Sequence, residues 1–409
     1  MHTPRMSHQI MPLDDGFVVF GGHTTDFYMT KTAERYSFGS DTWTQMNMLY
    51  YQDYSAGIVT ADGKMLLAGG MSSNSGIGAS AQCELYDPTT NTFSSTGSLV
   101  QARSMATATM TKSGKIYVNG CWYNSSYGLE CYDPETGSFS KVAEGLNAYH
   151  PNLLAMRGER IVIADGSSMV VVEDVTTTPV ENDLLAEFPV MKGWDETQMV
   201  YYQVVDYSYI LLGRNNTQAV LLNVFDDATE GIKVTKIADL PMTLPDDESV
   251  GIGYHDQASR VFIDRAAQKL YVQTCVLNDG CSPVIVEYDY PSAQRLEGGN
   301  FVVYATDKPL KHRTENAAWT MLADGTLVSV GGGNSNFDPH TAAYIYYLGD
   351  GSEDPDGIKE IESLTPALSK GEGAVYDLSG RRINGQWSMI NGQLPKGIYI
   401  MGGKKVAIK

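Results

Sequence analysis

Short apolar stretches separated by glycine-containing turns run through most of the chain, and the pattern is clearest around residues 103–139. There Arg103-Ser-Met-Ala-Thr-Ala-Thr-Met leads to a Ser113-Gly114 turn, then to Lys115-Ile-Tyr-Val-Asn119-Gly120, then to Glu130-Cys-Tyr132-Asp133-Pro134, and ends at Phe139. The segment predicts four consecutive strands. Ser-Gly joins the first two, a loop follows Gly120, and Asp-Pro-Glu-Thr-Gly turns the chain into the strand carrying Phe139. The preceding unit repeats the order with Asp62-Gly63, Gly69-Gly70, Tyr86-Asp87-Pro88 and Phe93. In three units an aromatic residue follows the tyrosine by seven positions: Tyr36 to Trp43, Tyr86 to Phe93 and Tyr132 to Phe139.

Further along the signals thin but the rhythm continues, with turn-and-strand endings at Asp165-Gly166 and Gly213 and a full Gly331-Gly332-Gly333 after Asp324-Gly325. A sixth unit, without the glycine pair, is placed on Arg265 to Cys281. The count is seven units, with six or eight as the neighbouring counts, and the uncertain stretch is residues 140–300. The glycine pair, the tyrosine and the following aromatic residue resemble the kelch repeat, a unit of about 50 residues. The resemblance covers roughly residues 1–350 and implies an all-β, seven-bladed β-propeller over residues 1–349. Glycine pairs allow a tight strand exit and close backbone approach, while the aromatic residues fill the wedge between blades.

The ends of the chain depart from the repeat. Residues 350–372 are rich in Gly, Ser, Pro, Asp and Glu and read as a linker, and residues 373–409 read as a small β module with Ser-Gly, Asn-Gly and Gly-Gly turns. The Tyr376-Asp-Leu-Ser-Gly-Arg block, the Lys396-Gly-Ile-Tyr-Ile block and the terminal Lys-Lys-Val-Ala-Ile-Lys409 resemble the C-terminal sorting domain of the type IX secretion system of Bacteroidetes-type bacteria. The proline-rich strand that opens a full-length tag is not recognisable upstream of Gly373. The resemblance implies an extracellular or cell-surface protein whose tag engages the secretion machinery. Met1-His-Thr-Pro-Arg-Met-Ser-His lacks the pattern of a leader, and Met1 to Arg5 aligns with Leu99 to Arg103, inside a repeat. A leader, and the outer strand closing the last blade, are therefore expected upstream of Met1.

Composition narrows the partners. With 43% hydrophobic and 19% charged residues, the 409-residue chain is of the folded globular kind, and no apolar run approaches a bilayer-spanning helix. A formal net charge of −19 disfavours nucleic acid. Of five cysteines, Cys121 with Cys131 and Cys275 with Cys281 are spaced for disulfides across hairpins, leaving Cys83 over; free buried thiols are the alternative.

No phosphate-binding glycine loop, Gly-x-Ser-x-Gly, His-Glu-x-x-His or Cys-x-x-Cys is present. No catalytic residue, metal or cofactor is expected. Kelch propellers also host carbohydrate-active enzymes, so a galactose-oxidase-like oxidase, with copper held by tyrosines and histidines, or a sialic-acid-epimerase-like enzyme is the alternative. His312 and His340 lie in the last unit, and His255-Asp256 reads as a solvated turn, with a base and its orienter as the alternative. The positional signal is stronger. Arg5, Arg103 and Arg313 precede the first strands of their units, and Tyr51, Asp53, Tyr149, His150 and His312 hold comparable places. Equivalent positions in a toroid fall on one ring. The ring is expected to be the rim at which a binding module contacts a protein, peptide or glycan, unless the arginines only bind neighbouring parts of the scaffold.

Overall fold

A computed structural model describes residues 1–71, 78–121, 128–146, 148, 150–191, 200–202, 207–241, 250–251, 260–276, 283–292, 295–304, 312, 314, 316–333, 338–346, 358–361, 375–376, 397–401 and 404–408. Seven antiparallel sheets follow one another along the chain: residues 9–47, 56–95, 107–143, 152–179, 200–239, 250–304 and 318–361. Six are four-stranded meanders. The sixth has five strands, because Val250–Gly251 and Arg260–Asp264 both pair with Lys269–Val276. These are the seven blades of a propeller, as the repeat predicts.

Gln9–Leu13, Ala56–Val59, Thr107–Met110, Asn152–Ala155, Arg260–Asp264 and Ala318–Met321 line the axis, with Ser208–Arg214 in blade five. Side chains from these innermost strands, with residues beside them, enclose one cavity of about 690 Å³ that all seven blades contribute to. Blade seven meets blade one through Ala318, Val328 and Val330, which pack on Ile10, Phe17 and Val19.

The seven-residue interval is explained by register. Tyr36 opposes Trp43, Tyr86 opposes Phe93 and Tyr132 opposes Phe139 across the third and fourth strands, with ring centroids 5.1, 5.0 and 4.9 Å apart. Such cross-strand pairs stabilise a sheet edge beyond the area they bury. Blade six carries the same pair as Tyr288 and Phe301, 4.8 Å apart.

Two expectations are corrected. The outer strand of blade seven comes from Ile358–Ile361, inside the stretch read as a linker, and pairs along Ala343–Tyr346; no strand from upstream of Met1 occupies that place. Cys121 and Cys131 are buried free thiols, as is Cys83, whose burial pushes it up to about 12. The reason is register: Cys131 stands opposite Tyr117, whereas Cys121 lies past the strand end, beyond Gly120. Cys281 lies outside the described residues, so the Cys275–Cys281 pairing does too. A helix at Asp183–Glu187, its first turn capped by the Asn182 side chain, lies between blades four and five and had no counterpart in the repeat. Residues 375–376, 397–401 and 404–408 form a three-stranded antiparallel sheet. Among the described residues no helix is long and apolar enough to cross a membrane.

Candidate functional site at the channel rim

Five innermost strands are entered through a residue with left-handed backbone: Ser7, Tyr54, Met105, His150 and Asn316 have φ of 52°, 52°, 56°, 48° and 53°. The conformation is uncommon for residues other than glycine. Here it turns the peptide so that neighbours can be stitched head to tail. The Ser7 N–H donates to the Asn316 carbonyl (3.2 Å), the Tyr54 N–H to Ser7 (3.2 Å) and the Met105 N–H to Tyr54 (2.8 Å). These bonds trace the rim across blades seven, one, two and three.

The glycine pairs lock the same seams from outside. Gly22 donates to the Gln52 carbonyl (3.0 Å), Gly70 to Arg103 (2.8 Å) and Gly332 to Arg5 (2.9 Å). A Cβ on the first glycine of each pair would come within 2.3 Å of the Gln52 oxygen, 2.4 Å of Arg103 O or 2.5 Å of Arg5 O. Only glycine permits that approach at a positive φ.

Arg5 and Arg103 therefore sit in register, as expected, but their side chains are fully buried. Arg5 donates to the carbonyls of Gly21 and Thr32 (2.8 and 2.7 Å) and to Glu34 Oε1 (2.8 Å). Arg103 donates to Gly128 O (3.1 Å) and Glu130 Oε1 (2.6 Å). Each carboxylate also accepts the backbone N–H groups that precede its arginine, from His2 and Thr3 at Glu34 and from Val100 and Gln101 at Glu130. The expectation that these arginines contact ligand is corrected: they fasten the blade's entry segment to its own third strand. Blade two has Gln52 at this register, and the contrast shows in the acids. Burial favours the neutral form of both, but Arg5 and the backbone donors hold Glu34 below its usual range, whereas burial raises Glu84 despite N–H groups from Leu49 and Tyr50.

Asp53, one residue past Gln52, belongs to a different group. Its Oδ1 lies 2.9 Å from Nδ1 of buried His23, the residue that follows the Gly21-Gly22 pair. Burial raises the Asp53 carboxyl, and His23 opposes the rise. The His23 ring stacks on Phe27 (5.1 Å) and on Tyr54 (5.8 Å). Phe27 ends a 3-10 turn, Thr25–Phe27, with φ of 57°, and the loop is closed by Thr24, whose N–H and hydroxyl both donate to the Tyr28 carbonyl. Closure leaves Phe27 and Tyr28 42% and 56% exposed. Beneath them Met29, Met71 and Met105 form a buried floor against which Tyr51 and Tyr54 pack, and Lys31 Nζ lies 4.7 Å over the Tyr51 ring.

His150 is buried on the rim, and the His312 ring lies 4.9 Å from that of His340 beside blade seven. Tyr149, Arg313 and the His255-Asp256 pair lie outside the described residues. The functional groups that sequence reasoning missed are His23, Phe27, Tyr28 and Tyr54. Their signal was available only as a histidine directly after a glycine pair, with Asp53 supplied by the next blade.

No family model matches the chain. A stretch of 189 residues, 44% of the chain, is 24% identical to alpha-scruin of Limulus polyphemus and spans about a fifth (20%) of that protein's length. Among solved structures, a fungal alcohol oxidase of the AA5 family, in complex with copper, superposes with a TM-score of 0.57 over 82% of this chain and 71% of its own, at 14% identity. Identity that low carries the fold alone. Among the described residues, no three His, Cys, Asp or Glu side chains converge as ligands of a metal ion, and no step through a metal is derived. Blade count, repeat grammar and these likenesses together make the fold a kelch-like seven-bladed β-propeller.

Proposed function

We propose that the chain is an exported binding module that holds a carbohydrate on the blade-one and blade-two side of the rim. The observation that carries the reading is the exposed Phe27-Tyr28 pair closed over His23 and Asp53. Exposed aromatic rings beside fixed polar groups suit a sugar, which offers one apolar face and a ring of hydroxyls. The Met29, Met71 and Met105 floor keeps that surface adaptable. Export rests on the likeness of residues 373–409 to a sorting domain.

The test is a pair of arrays, glycan and peptide, probed with the full chain and with its Phe27→Ala/Tyr28→Ala variant. Glycan binding that disappears in the variant at unchanged melting temperature supports the reading. Peptide hits alone, or glycan hits indifferent to the substitutions, overturn it. For export, removing residues 373–409 in a type IX-secreting host is expected to retain the protein inside the cell; undiminished secretion ends that part.

A further inference from the structure

One cation on the rim side is placed unlike the others. Lys64, Lys141, Lys233, Lys236 and Lys269 each meet a carboxylate at 2.5–2.7 Å. Lys31 is exposed and rests instead on the Tyr51 ring, its Nζ 4.7 Å from the centroid, and among the described residues it forms no ion pair. An aromatic face attracts an ammonium through its quadrupole and carries no net charge, so Lys31 keeps its own charge and N–H groups for a ligand. The backbone fixes its place on both sides. The Thr30 N–H donates to the Gly22 carbonyl (3.0 Å), and the Lys31 carbonyl accepts from the Met48 N–H (2.8 Å). Lys31 follows Tyr28 by three residues, which limits their Cα atoms to at most about 11 Å apart.

Glu34, Asp53 and Glu84 stand on the rim side of the same two blades, and none of them cancels that charge. Glu34 accepts from Arg5 and from the His2 and Thr3 N–H groups, and Asp53 is turned to His23. Glu84 accepts from the Leu49 and Tyr50 N–H groups, and burial raises its carboxyl toward the neutral form, as it does that of Asp53. Among the influences opposing the rise at Glu84, the Lys31 charge comes after the hydrogen bonds of Leu49, Tyr50 and Gln52, as befits a charge held at a distance. In a chain of net charge −19, Lys31 thus stands as a positive charge beside the exposed Phe27-Tyr28 pair. An ammonium held next to rings that stack on a sugar selects a sugar that carries an anion, because a charge-assisted contact is roughly twice as strong as the neutral one a hydroxyl would make.

We propose that the rim ligand is an acidic glycan, its carboxylate or sulfate held by Lys31 while an adjoining sugar ring lies on Phe27 and Tyr28; this rests on the reading of the rim as a carbohydrate site. The experiment probes the full chain and its Lys31→Met variant on a glycan array that carries each acidic glycan beside its neutral counterpart. Uronates are paired with their methyl esters and sulfate esters with the desulfated forms, and the strongest pair is then titrated by calorimetry. Methionine keeps an unbranched stem over Tyr51 and removes the charge, and Lys31 is exposed, so the melting temperature is expected to stay unchanged. The acidic member of a pair is expected to bind at least about tenfold more tightly than the neutral one, and Lys31→Met to lose that advantage. Which kind of pair responds tells carboxylate from sulfate. Equal binding of acidic and neutral members, or acidic binding undiminished in Lys31→Met, overturns the inference and leaves the rim reading standing. Binding of no glycan, or binding indifferent to Phe27→Ala/Tyr28→Ala, overturns the rim reading and the inference with it.

Discussion

Blades seven, one, two and three are joined differently from blades four, five and six. In the first group the seams are directional: a glycine N–H meets a carbonyl of the next entry segment, at Gly332 to Arg5, Gly22 to Gln52 and Gly70 to Arg103. Apolar packing is common to both groups, and in the second the described seams carry it without a glycine pair, beside side-chain bonds such as the Tyr209 hydroxyl to the Ala155 carbonyl. Leu154 and Val162 of blade four pack with Leu211, Leu222 and Val224 of blade five, and Ile210, Leu212 and Leu221 pack with Val261, Leu270 and Val286 of blade six. The strands are longer there as well, with nine residues each in Ala219–Asp227 and Gly231–Asp239. A toroid can thus hold its neighbours by fixed hydrogen bonds that demand glycine, or by non-directional burial that tolerates many sequences. The rim groups that need placing to a fraction of an ångström, His23 and Asp53, lie on the directional side.

The largest expected effect separates a glycine's two uses. Gly331 and Gly231 both have positive φ, 63° and 79°, so alanine strains the backbone at each. At Gly331 a Cβ also meets the Arg5 carbonyl at 2.5 Å and the His8 ring at 2.8 Å, whereas at Gly231 nothing lies within 4 Å. Gly331→Ala is expected to cost roughly 4 kcal/mol, backbone strain plus overpacking, and Gly231→Ala about 1. Urea denaturation of both variants measures the difference. Equal losses would show that the seam yields to a methyl group and that the directional reading is mistaken.

Next in size is the buried ion pair. In blade three Arg103 and Glu130 are both fully buried, 2.6 Å apart, while in blade six Lys269 keeps 30% of its side chain exposed beside Glu287, also at 2.6 Å. Arg103→Met leaves a desolvated carboxylate with, among the described residues, the Val100 and Gln101 N–H groups, for an expected loss of roughly 3 kcal/mol. Lys269→Met is expected to cost about 1 kcal/mol or less, since the pair is partly screened and Glu287 keeps the Tyr304 hydroxyl. A double-mutant cycle at each site isolates the pair term. A coupling at Lys269 as large as that at Arg103 contradicts the contrast.

The same division decides what could be read from sequence. Directional seams need particular residues, so Gly21-Gly22, Gly69-Gly70 and Gly331-Gly332 announce blades one, two and seven, whereas aliphatic seams leave no signature. In blade six the aromatic pair was hidden by distance: Tyr288 and Phe301 are thirteen positions apart, because the chain between them is longer than the turn joining Tyr132 to Phe139. Ile358–Ile361 was masked by its Gly, Asp and Pro-rich surroundings, which read as a linker. The arginine register was legible but its chemistry was not, because Glu34 and Glu130 lie far along the chain and meet Arg5 and Arg103 only through strand pairing. His23 is likewise a lone histidine until the next blade brings Asp53 to it.

The smallest effect tests the blade-seven to blade-one seam by protons. His8 is buried between those blades, close enough to Gly331 and Gly22 that a Cβ on either would touch it, and neither ring nitrogen has a hydrogen-bond partner among the described residues. Burial first, and the nearby charges of Arg5, His23, Arg260 and His340 after it, hold its pKa well below the ordinary histidine value. The folded chain therefore keeps His8 neutral while the unfolded chain protonates it on acidification through about pH 6.5. The unfolded state then binds more protons, so stability conferred above that pH is lost as the pH falls. One group contributes at most about 1.4 kcal/mol per pH unit. Asp53 works in the opposite sense: its raised carboxyl takes up a proton more readily in the folded state, so acidification through the window above the ordinary aspartate range favours folding. Comparing wild type with His8→Asn cancels that term. Urea denaturation at about pH 7.5 and about pH 5.5 is expected to show wild type losing roughly 1 kcal/mol more than the variant over the interval. Identical losses would mean that His8 gains its proton inside the fold, and that the seam beside the glycine pairs admits water that the directional packing is supposed to exclude.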